Sequence, residues 1–396
     1  MKTDETIYIF IGSQNGNIPY DYLISKYCKH NISVSNSEFE RTLVSEFSKK
    51  IIGNRVFTIA APSVGKWPKS CKKIRFCESF ISSQITFCSY LTVYGISNFS
   101  KGRSILRALK NKLKSLNCSN VVVIGCEAHK PYLKALRYAK KKGCVTSLIV
   151  PDLPEDMKSS NSFIYKIFKR KDVKDIVYLA NNYVDCFYFF TEKIAQHFDV
   201  GNKPYLIREG IIEHINFENN NNNQPICSYI GKTDKRNGLE AIINVAKLMP
   251  NVQFNIYGSG DMDKDLESIL IPNLSFKGFA DPTMIENIME NSNVLISLRY
   301  PGESYTSASF PSKILKYVSS GKPIVTYKLP CYSSKFDNLL FYPKEISESG
   351  IVQALIEALK EENKDMSSKY KDILTELFVE NVVNDYIKMI NKCIKV

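Results

Sequence analysis

Short apolar runs alternate with helical stretches along most of this chain, and most of the runs end in glycine or in polar residues. The run at 6–12 ends at Gly12 and is followed by small polar residues, while the run at 120–126 is apolar along almost its whole length. Apolar runs of this length between helices are typical of strands buried on both faces of a parallel sheet. The pattern therefore predicts an α/β chain built from doubly wound, Rossmann-like sheets.

The two halves of the chain differ in how regular this alternation is. In the first half we expect strands near 54–60, 85–95, 144–151 and 184–191, and two helices over 160–182. The second half alternates more cleanly, and five consecutive asparagines at 219–223 separate it from the first. Such a tract cannot contribute to a core. The expected division is an N-terminal domain over 1–212, a linker over 213–225, a C-terminal domain over 226–378, and a last helix over 379–396 packing back on the N-terminal domain.

Four strands of the second half end in loops of small or charged residues, at 231–238, 258–261, 278–281 and 299–313. Because the carboxyl ends of parallel strands share one edge of a sheet, these loops are expected to meet at one crevice. Backbone N–H groups and cations there can hold a diphosphate without dedicated metal ligands. The cations concerned are Lys232, Lys235, Arg236, Arg299 and Lys313.

The stretch 310–325, FPSKILKYVSSGKPIV, predicts a loop, a helix, a tight turn and a buried strand. Pro311 suits the first helical turn, and Gly321 suits the residue just after the helix. A helix that opens at Ser312 and Lys313 offers backbone N–H groups, a hydroxyl and a cation to a phosphate. The alternative is an ordinary αβ unit in which Lys313 is solvated.

Charge is distributed unevenly over the 396 residues. The chain carries 53 Lys and Arg against 40 Asp and Glu, and residues 1–210 alone hold 33 of these cations and 17 of the acids. A basic half suggests an anionic partner such as a membrane face or a phosphorylated substrate. The alternative is that the charges only keep helix surfaces soluble. Nucleic acid is disfavoured, because the cations are not interleaved with aromatic residues in a known module.

Cysteine and histidine usage points away from a metal enzyme. The eleven cysteines form no CxxC pair, and the four histidines form no HExxH motif. The polar start of the chain does not resemble a signal peptide. We therefore expect reduced thiols, no metal and a cytoplasmic location.

Together, these motifs resemble those of a known family. Its second half resembles the nucleotide-sugar-binding domain of GT-B glycosyltransferases, in the retaining group that builds bacterial surface polysaccharides. The similar features are the strand and basic loop at 226–249, the Gly-Ser-Gly at 258–260, the FKGF turn at 276–279 and the stretch 310–325. In the first half, the acidic loop at 151–155 is similar to that group too, and so is the segment 185–193 followed by Glu209 and Gly210.

This resemblance implies two Rossmann-like domains facing a central cleft. It implies transfer of a sugar from a nucleoside-diphosphate sugar to a saccharide or lipid-linked acceptor, with no other cofactor and no metal. Lys232 and Lys313 would bind and stabilise the diphosphate, Glu303 would contact a sugar hydroxyl, and His129 would lie at the cleft. The other expected donor-binding residues are Gly12 and Gly16 in the first loop, Gly231, Arg236, Gly258 and Gly260 near the diphosphate, Gly278 and Phe279 near the base, and Ser312.

Some positions depart from the family pattern. Lys316 stands where the group often has a glutamate that holds the donor ribose, Ala308 stands eight residues before it, and Asn237 replaces an expected basic residue. An alternative is therefore a non-catalytic GT-B partner that binds a sugar nucleotide, and a GT-B-shaped epimerase ranks below it. For a transferase, the basic first half would rest on the inner face of the cell membrane.

Overall fold

The computed structural model describes residues 6–14, 18, 20–29, 35–76, 84–116, 120–155, 163–214, 224–361 and 367–394. The chain divides into two compact units, one of Met1–Ile211 with Val379–Val396 and one of Ile212–Phe378. Gly16 and residues 215–223 of the asparagine-rich segment lie outside the described residues. Among the described helices, none is long and apolar enough to cross a lipid bilayer.

The first unit is an α/β fold in which helices follow most strands. Its elements are β1 (Ile7–Gly12), α1 (Tyr20–Tyr27), α2 (Ser35–Lys50), β2 (Val56–Ala60), β3 (Lys73–Ile74), β4 (Ile85–Phe87), β5 (Tyr90–Leu91), α3 (Ser97–Lys114), β6 (Val121–Gly125), α4 (Lys130–Lys141), β7 (Val145–Val150), α5 (Phe163–Tyr183), β8 (Cys186–Phe189), α6 (Glu192–Phe198), β9 (Tyr205–Ile207) and the late helix α13 (Val379–Asn391).

Seven of these strands, within the described residues, form one parallel sheet in the order β4-β2-β1-β6-β7-β8-β9. The strand order reverses between β1 and β6, which leaves a crevice at their carboxyl ends. Helix α13 packs on this unit, since the Tyr386 ring meets Phe47 and Tyr188 edge-on and its hydroxyl lies 2.8 Å from Ser147 Oγ. The end of the chain is therefore part of the first unit's core.

The second unit repeats the same construction on a smaller scale. Its elements are β10 (Ile226–Ile230), α7 (Leu239–Leu248), β11 (Gln253–Tyr257), α8 (Asp263–Glu267), β12 (Leu274–Gly278), α9 (Pro282–Glu290), β13 (Val294–Ser297), α10 (Lys313–Ser319), β14 (Ile324–Thr326), α11 (Glu348–Glu361) and α12 (Ser367–Leu377). The strands, all within the continuous described segment 224–361, are parallel in the order β12-β11-β10-β13-β14. Here the order reverses between β10 and β13.

Two expected elements of the first half differ in the structure. The described part of 160–182 lies in the single helix α5, because Phe163–Tyr183 contains no glycine or proline to break it. The expected strand at 85–95 is two short strands with different partners. β4 pairs in parallel with β2, whereas β5 pairs in antiparallel fashion with β3 in a separate ribbon.

The loops that follow β10, β11 and β12 are joined backbone to backbone. Gly258 N donates to the carbonyl of Gly278 at 2.7 Å, and Gly231 N donates to that of Tyr257 at 2.9 Å. Gly258 has a φ of +145°, and a Cβ there would lie 1.7 Å from the Gly231 carbonyl oxygen. Only glycine fits this position, and its absence of a side chain keeps the first two loops in contact.

Replacement of Gly258 by alanine should destabilise the second unit severely. The new Cβ would clash with backbone as well as strain φ, so we expect a loss of about 3 kcal/mol or more in the free energy of unfolding. The matched control is Gly278→Ala, where φ is also positive at +71° but no atom of the described residues lies within 4 Å of the new Cβ. That change should cost only about 1–2 kcal/mol. Urea denaturation of both variants checks this, and equal losses would contradict the contact described.

Candidate functional site

The side chain of Lys313 lies at the crevice between β10 and β13 of the second unit. Its Nζ donates to the Tyr229 hydroxyl at 3.1 Å and sits 4.2 Å from the centre of that ring. The same hydroxyl donates to the carbonyl of Lys232 at 2.8 Å. Tyr229, at the end of a buried strand, thus ties the first residue of α10 to the loop after β10.

Gly231 makes room for this amine. A Cβ on Gly231 would lie 2.5 Å from Lys313 Nζ and 3.2 Å from the Tyr229 hydroxyl, and φ of Gly231 is +154°. The amine therefore occupies the space that any other residue at 231 would fill. This contact places a cation directly over the backbone of the Gly-Lys turn.

Burial is the main influence on the charge of Lys313. The pKa of Lys313 is lowered to about 7, because the effects of burial and then of Arg299 outweigh the opposing effect of Asp234. A partly buried ammonium with a neutral hydroxyl as its hydrogen-bond partner gains stability from an added negative charge. The position is therefore suited to an anion.

Asp234 organises the loop after β10. Its carboxylate accepts hydrogen bonds from Lys232 at 3.0 Å, Arg236 at 3.2 Å and Asn237 at 2.6 Å. Burial raises the pKa of Asp234, but Lys232 and Arg236 outweigh it, so the net pKa lies below its ordinary value. The Lys232 and Arg236 side chains remain 46% and 55% exposed. Asp234 thus holds one N–H donor of Lys232 and one of Arg236, and the other donors of these two side chains remain available to a ligand.

Tyr305 stands between the two arginines of this cluster. The guanidinium carbons of Arg236 and Arg299 lie 5.7 Å and 5.4 Å from the centre of its ring. Its hydroxyl is buried and has no hydrogen-bond partner among the described residues. The Tyr305 ring lies between the two guanidinium groups, and its hydroxyl could donate a hydrogen bond to a ligand bound beside them.

The structure brings six of the sequence-predicted residues together here: Gly231, Lys232, Arg236, Gly258, Gly260 and Lys313. Gly260 N donates to the Asp263 carboxylate at 2.8 Å, and Thr233 of the β10 loop donates to the same carboxylate. Gly278 adjoins the group through its carbonyl. The glycines allow the loop backbones to approach one another closely, and the charged side chains extend from these loops.

The other predicted residues of this unit lie at its surface. Phe279 is 58% exposed, Ser312 is exposed, and Glu303 is exposed at the start of a short 3₁₀ helix, Ser304–Ser307. Lys235 pairs with Glu240 of α7 at 3.0 Å instead of joining the cluster. Among the described residues, no contact of the Phe279, Ser312 or Glu303 side chain defines a role for it.

Helix α10 begins at Lys313 with Ser312 as its N-cap residue. Pro311 therefore precedes the cap and does not lie in the first turn. Gly321 follows the helix with a φ of +69°, as the sequence predicts.

Tyr229, Asp234 and Tyr305 are not among the residues predicted from the sequence. A tyrosine in a buried strand is indistinguishable from core, so nothing in the sequence pointed to Tyr229. Asp234 did carry a signal, because an acid two residues from each of Lys232 and Arg236 can pair with both. Tyr305 could be recognised only once the two arginines were seen on either side of it.

The corresponding crevice of the first unit, between β1 and β6, holds a buried carboxylate. Glu40 accepts hydrogen bonds from the N–H groups of Ser13 and Gln14 at 2.7 and 2.8 Å, and from the Ser13 hydroxyl at 3.0 Å. A Cβ on Gly12 would lie 2.1 Å from Glu40 Oε2. Burial and then Glu127 raise the pKa of Glu40 to about 8, although these hydrogen bonds oppose the rise. Glu40 thus occupies two N–H groups that the loop could otherwise offer to a phosphate.

His129 lies next to this carboxylate cluster. It precedes α4 without capping it through its side chain, and its Nε2 is 3.0 Å from Oε2 of Glu127. Lys101 faces the same groups. Burial lowers the pKa of Lys101, while Glu127 and Glu40 raise it. The imidazole therefore has a buried carboxylate partner, which orients it.

Comparison with known proteins gives a family match for the second unit. Residues 211–372 match the family described as "Glycosyl transferases group 1". Over 111 residues the chain is 28% identical to TuaH of Bacillus subtilis (strain 168), a candidate teichuronic acid biosynthesis glycosyltransferase. That match spans 27% of this chain and only 28% of the length of TuaH.

Solved structures match the chain over almost its full length. Sucrose-phosphate synthase from Thermosynechococcus elongatus has a TM-score of 0.64 at 10% identity, covering 98% of each chain. Alr3699/HepE of Anabaena, in complex with UDP and glucose, has a TM-score of 0.57 at 13% identity, covering 96% of this chain and 98% of its own. At these identities the likeness shows the fold alone, and that fold is GT-B, as the sequence predicts.

Glu40 generates a prediction about pH and stability. Between the ordinary carboxyl pKa near 4.5 and a folded value of about 8, the folded state binds a proton that the unfolded state does not. The free energy of unfolding should therefore fall as pH rises through this window. Glu40→Gln removes that titration, and its amide can accept both N–H bonds and donate to Ser13.

Urea denaturation at pH 5, 6, 7 and 8 measures the effect. We expect a clearly shallower fall for Glu40→Gln than for the wild type, and an unchanged slope for the control Glu357→Gln on the exposed face of α11. Parallel slopes for wild type and Glu40→Gln would refute the raised pKa.

Proposed function

Because residues 211–372 match the glycosyl transferases group 1 family, we propose that this chain is a glycosyltransferase. It would move a sugar from a nucleoside-diphosphate sugar to a saccharide or lipid-linked saccharide in surface polysaccharide biosynthesis. The observation that carries the proposal is the cation cluster of Lys232, Arg236 and Lys313 on glycine loops at the switch point of the second sheet. Such a cluster matches the charge of a diphosphate.

The electrostatics of this cluster favour a diphosphate over a neutral ligand. Asp234 supplies one negative charge to a group of four cations, Lys232, Arg236, Arg299 and Lys313, so a surplus of positive charge remains although Asp234 also favours the ammonium form of Lys313. A diphosphate would supply about two charges and would restore the ammonium form of Lys313. The likeness to a structure with bound UDP and glucose supports a UDP-hexose as the first donor to test.

The proposed mechanism is electrostatic. As the bond between sugar and phosphate breaks, negative charge grows on the departing diphosphate and the sugar acquires oxocarbenium character. Cations held in place before the reaction stabilise that charge without reorganising. Lys313 and Lys232 would do this, with retention of configuration proposed from the family resemblance alone.

Other residues have proposed roles in binding the substrates. Glu303 would contact a sugar hydroxyl, and His129, oriented by Glu127, would contact the donor sugar or the acceptor. Gly12, Gly278, Phe279 and Ser312 remain proposed donor contacts. We place the protein in the cytoplasm, at the inner face of the membrane where a lipid-linked acceptor would be presented, and no metal is part of the proposal.

Activity is tested with a panel of UDP-, GDP- and dTDP-sugars, with products identified by mass spectrometry. Loss of a charge-assisted contact costs about 1.5–3 kcal/mol, so Lys313→Met should lower kcat/KM for the donor by about 10- to 100-fold or more. The control is Lys360→Met on the exposed face of α11. Equal transfer by Lys313→Met and wild type would sink the proposed role. Donor binding with no transfer or hydrolysis over long incubation would favour the non-catalytic alternative.

The pKa of Lys313 predicts how donor affinity depends on pH. Below about pH 7 the free protein already carries the ammonium form, whereas above it a proton must be taken up as the donor binds. The Kd should therefore rise above pH 7, approaching tenfold per pH unit until the pKa of the complex is reached. Titration calorimetry with UDP-glucose, whose diphosphate does not itself titrate between pH 6 and 9, measures this. In Lys313→Met the affinity should be weaker and the dependence flatter. A wild-type Kd that is constant from pH 6 to 9 would rule out this linkage.

A further inference from the structure

Four large apolar side chains are exposed together at one end of α3. Trp67, Tyr94, Ile96 and Phe99 are 42%, 67%, 46% and 65% exposed. The backbone N–H of Trp67 donates to the carbonyl of Thr92 at 3.2 Å. This hydrogen bond joins the loop around Trp67 to the turn that leads into α3. We call these four residues the aromatic cluster. Exposed apolar groups of this kind commonly mark an interaction surface.

Lysines lie on the rings of this cluster. Lys66 Nζ is 4.5 Å from the centre of the Tyr94 ring, and Lys72 Nζ is 5.2 Å from that of Trp67. Both lysines are exposed. The apolar side chains are therefore framed by positive charge.

Helix α3 continues the surface as a basic stripe. Phe99 is followed at helical spacing by Arg103, Arg107, Lys110 and Lys114, all exposed, while Ile105 and Leu109 on the other face are buried. Residues 63–76 and 84–116 together contain eleven Lys and Arg and no Asp or Glu. The surface is apolar at one end, cationic along its length and built from stretches that contain no acid.

We propose that the aromatic cluster and the basic stripe of α3 dock the first unit on an anionic phospholipid bilayer. The aromatic and aliphatic side chains enter the boundary between headgroups and acyl chains, where amphipathic rings are stable. The lysines and arginines meet the headgroup phosphates. This deepens the proposed function, on which it rests for its purpose: a lipid-linked acceptor would be met at that surface.

Two features favour a bilayer over a saccharide or a soluble polyanion. Ile96 and Phe99 have no polar group to bond sugar hydroxyls, and these stretches contain no carboxylate to accept from them. A soluble polyanion would need the cations alone and would leave the exposed apolar side chains in water. Only a surface with an apolar interior uses both parts.

Trp67 provides a direct readout because it is the chain's single tryptophan. The full chain is mixed with vesicles of phosphatidylcholine alone or with 30 mol% phosphatidylglycerol. We expect cosedimentation with the anionic vesicles only, with a blue shift of the Trp67 emission and quenching by brominated acyl chains. Cosedimentation without the blue shift, or binding to neither vesicle, would overturn the proposal.

Variants separate this surface from general charge attraction. Tyr94→Ala combined with Phe99→Ala keeps the tryptophan and should weaken vesicle binding at least tenfold. Arg103→Glu with Arg107→Glu should do the same. The matched control, Tyr178→Ala with Tyr205→Ala, removes two exposed tyrosines of the same unit and should bind as the wild type does. Equal weakening by test and control variants, or tight binding to a soluble anionic polysaccharide with no vesicle binding, would refute the docking surface.

Calorimetry with UDP-glucose keeps the two proposals apart. The Tyr94 and Phe99 double variant should bind this donor as tightly as the wild type, because its substitutions lie in the first unit and outside the cation cluster. Vesicle binding by a protein that binds no donor would support the docking surface while rejecting the transferase proposal. Unchanged donor binding together with lost vesicle binding would support both assignments.

Discussion

The candidate site of the second unit depends on one contact, the amine of Lys313 held over the backbone of Gly231 by the Tyr229 hydroxyl. A cation in that place is partly removed from water, and its hydrogen-bond partner is a neutral hydroxyl. The structure can hold it there because Gly231 has no side chain and because Tyr229 also bonds the next carbonyl of the loop. Because burial disfavours the ammonium form of Lys313, a bound anion would stabilise it. The exposed donors of Lys232 and Arg236 lie in the same loop.

The two units use the same topological place for opposite purposes. In each, the strand order reverses beside the first strand, and a glycine ends that strand or follows it directly. In the first unit the glycine admits the carboxylate of Glu40, which takes up the N–H groups of Ser13 and Gln14. In the second unit the glycine admits the ammonium of Lys313. In the first crevice the loop N–H groups already bond an acidic side chain, whereas the second crevice is cationic. The fold alone therefore does not decide which of them attracts a phosphate.

Charge also divides the first unit into an interior and a surface with different roles. Its buried carboxylates, Glu40 and Glu127, face Lys101 and His129 near the crevice. Its surplus of cations lies instead on helix surfaces such as α3, where the sequence contains no acid to neutralise them. The excess of positive charge in the first half is therefore a property of surfaces and not of the crevice.

The sequence by itself determined the α/β class, the parallel sheets and the loops of the cation cluster. Apolar runs ending in glycine specify buried parallel strands, and the carboxyl ends of such strands must share an edge, so Gly231, Lys232, Gly258 and Lys313 could be expected to meet. These are consequences of local pattern and chain direction, which a sequence contains.

Only the tertiary structure decided which side chains act on one another across those loops. In the sequence Tyr229 cannot be distinguished from a core residue, but in the structure its hydroxyl bonds both Lys313 and the carbonyl of Lys232. Nothing in the sequence singles out Glu40, and only the structure shows its carboxylate against Gly12, 28 residues earlier in the chain. The split at 85–95 was likewise set by the available neighbours, since β4 pairs with β2 and β5 pairs with β3. Such contacts join residues far apart in sequence, and their distances and burial, which fix charge and affinity, do not follow from the order of residues along the chain.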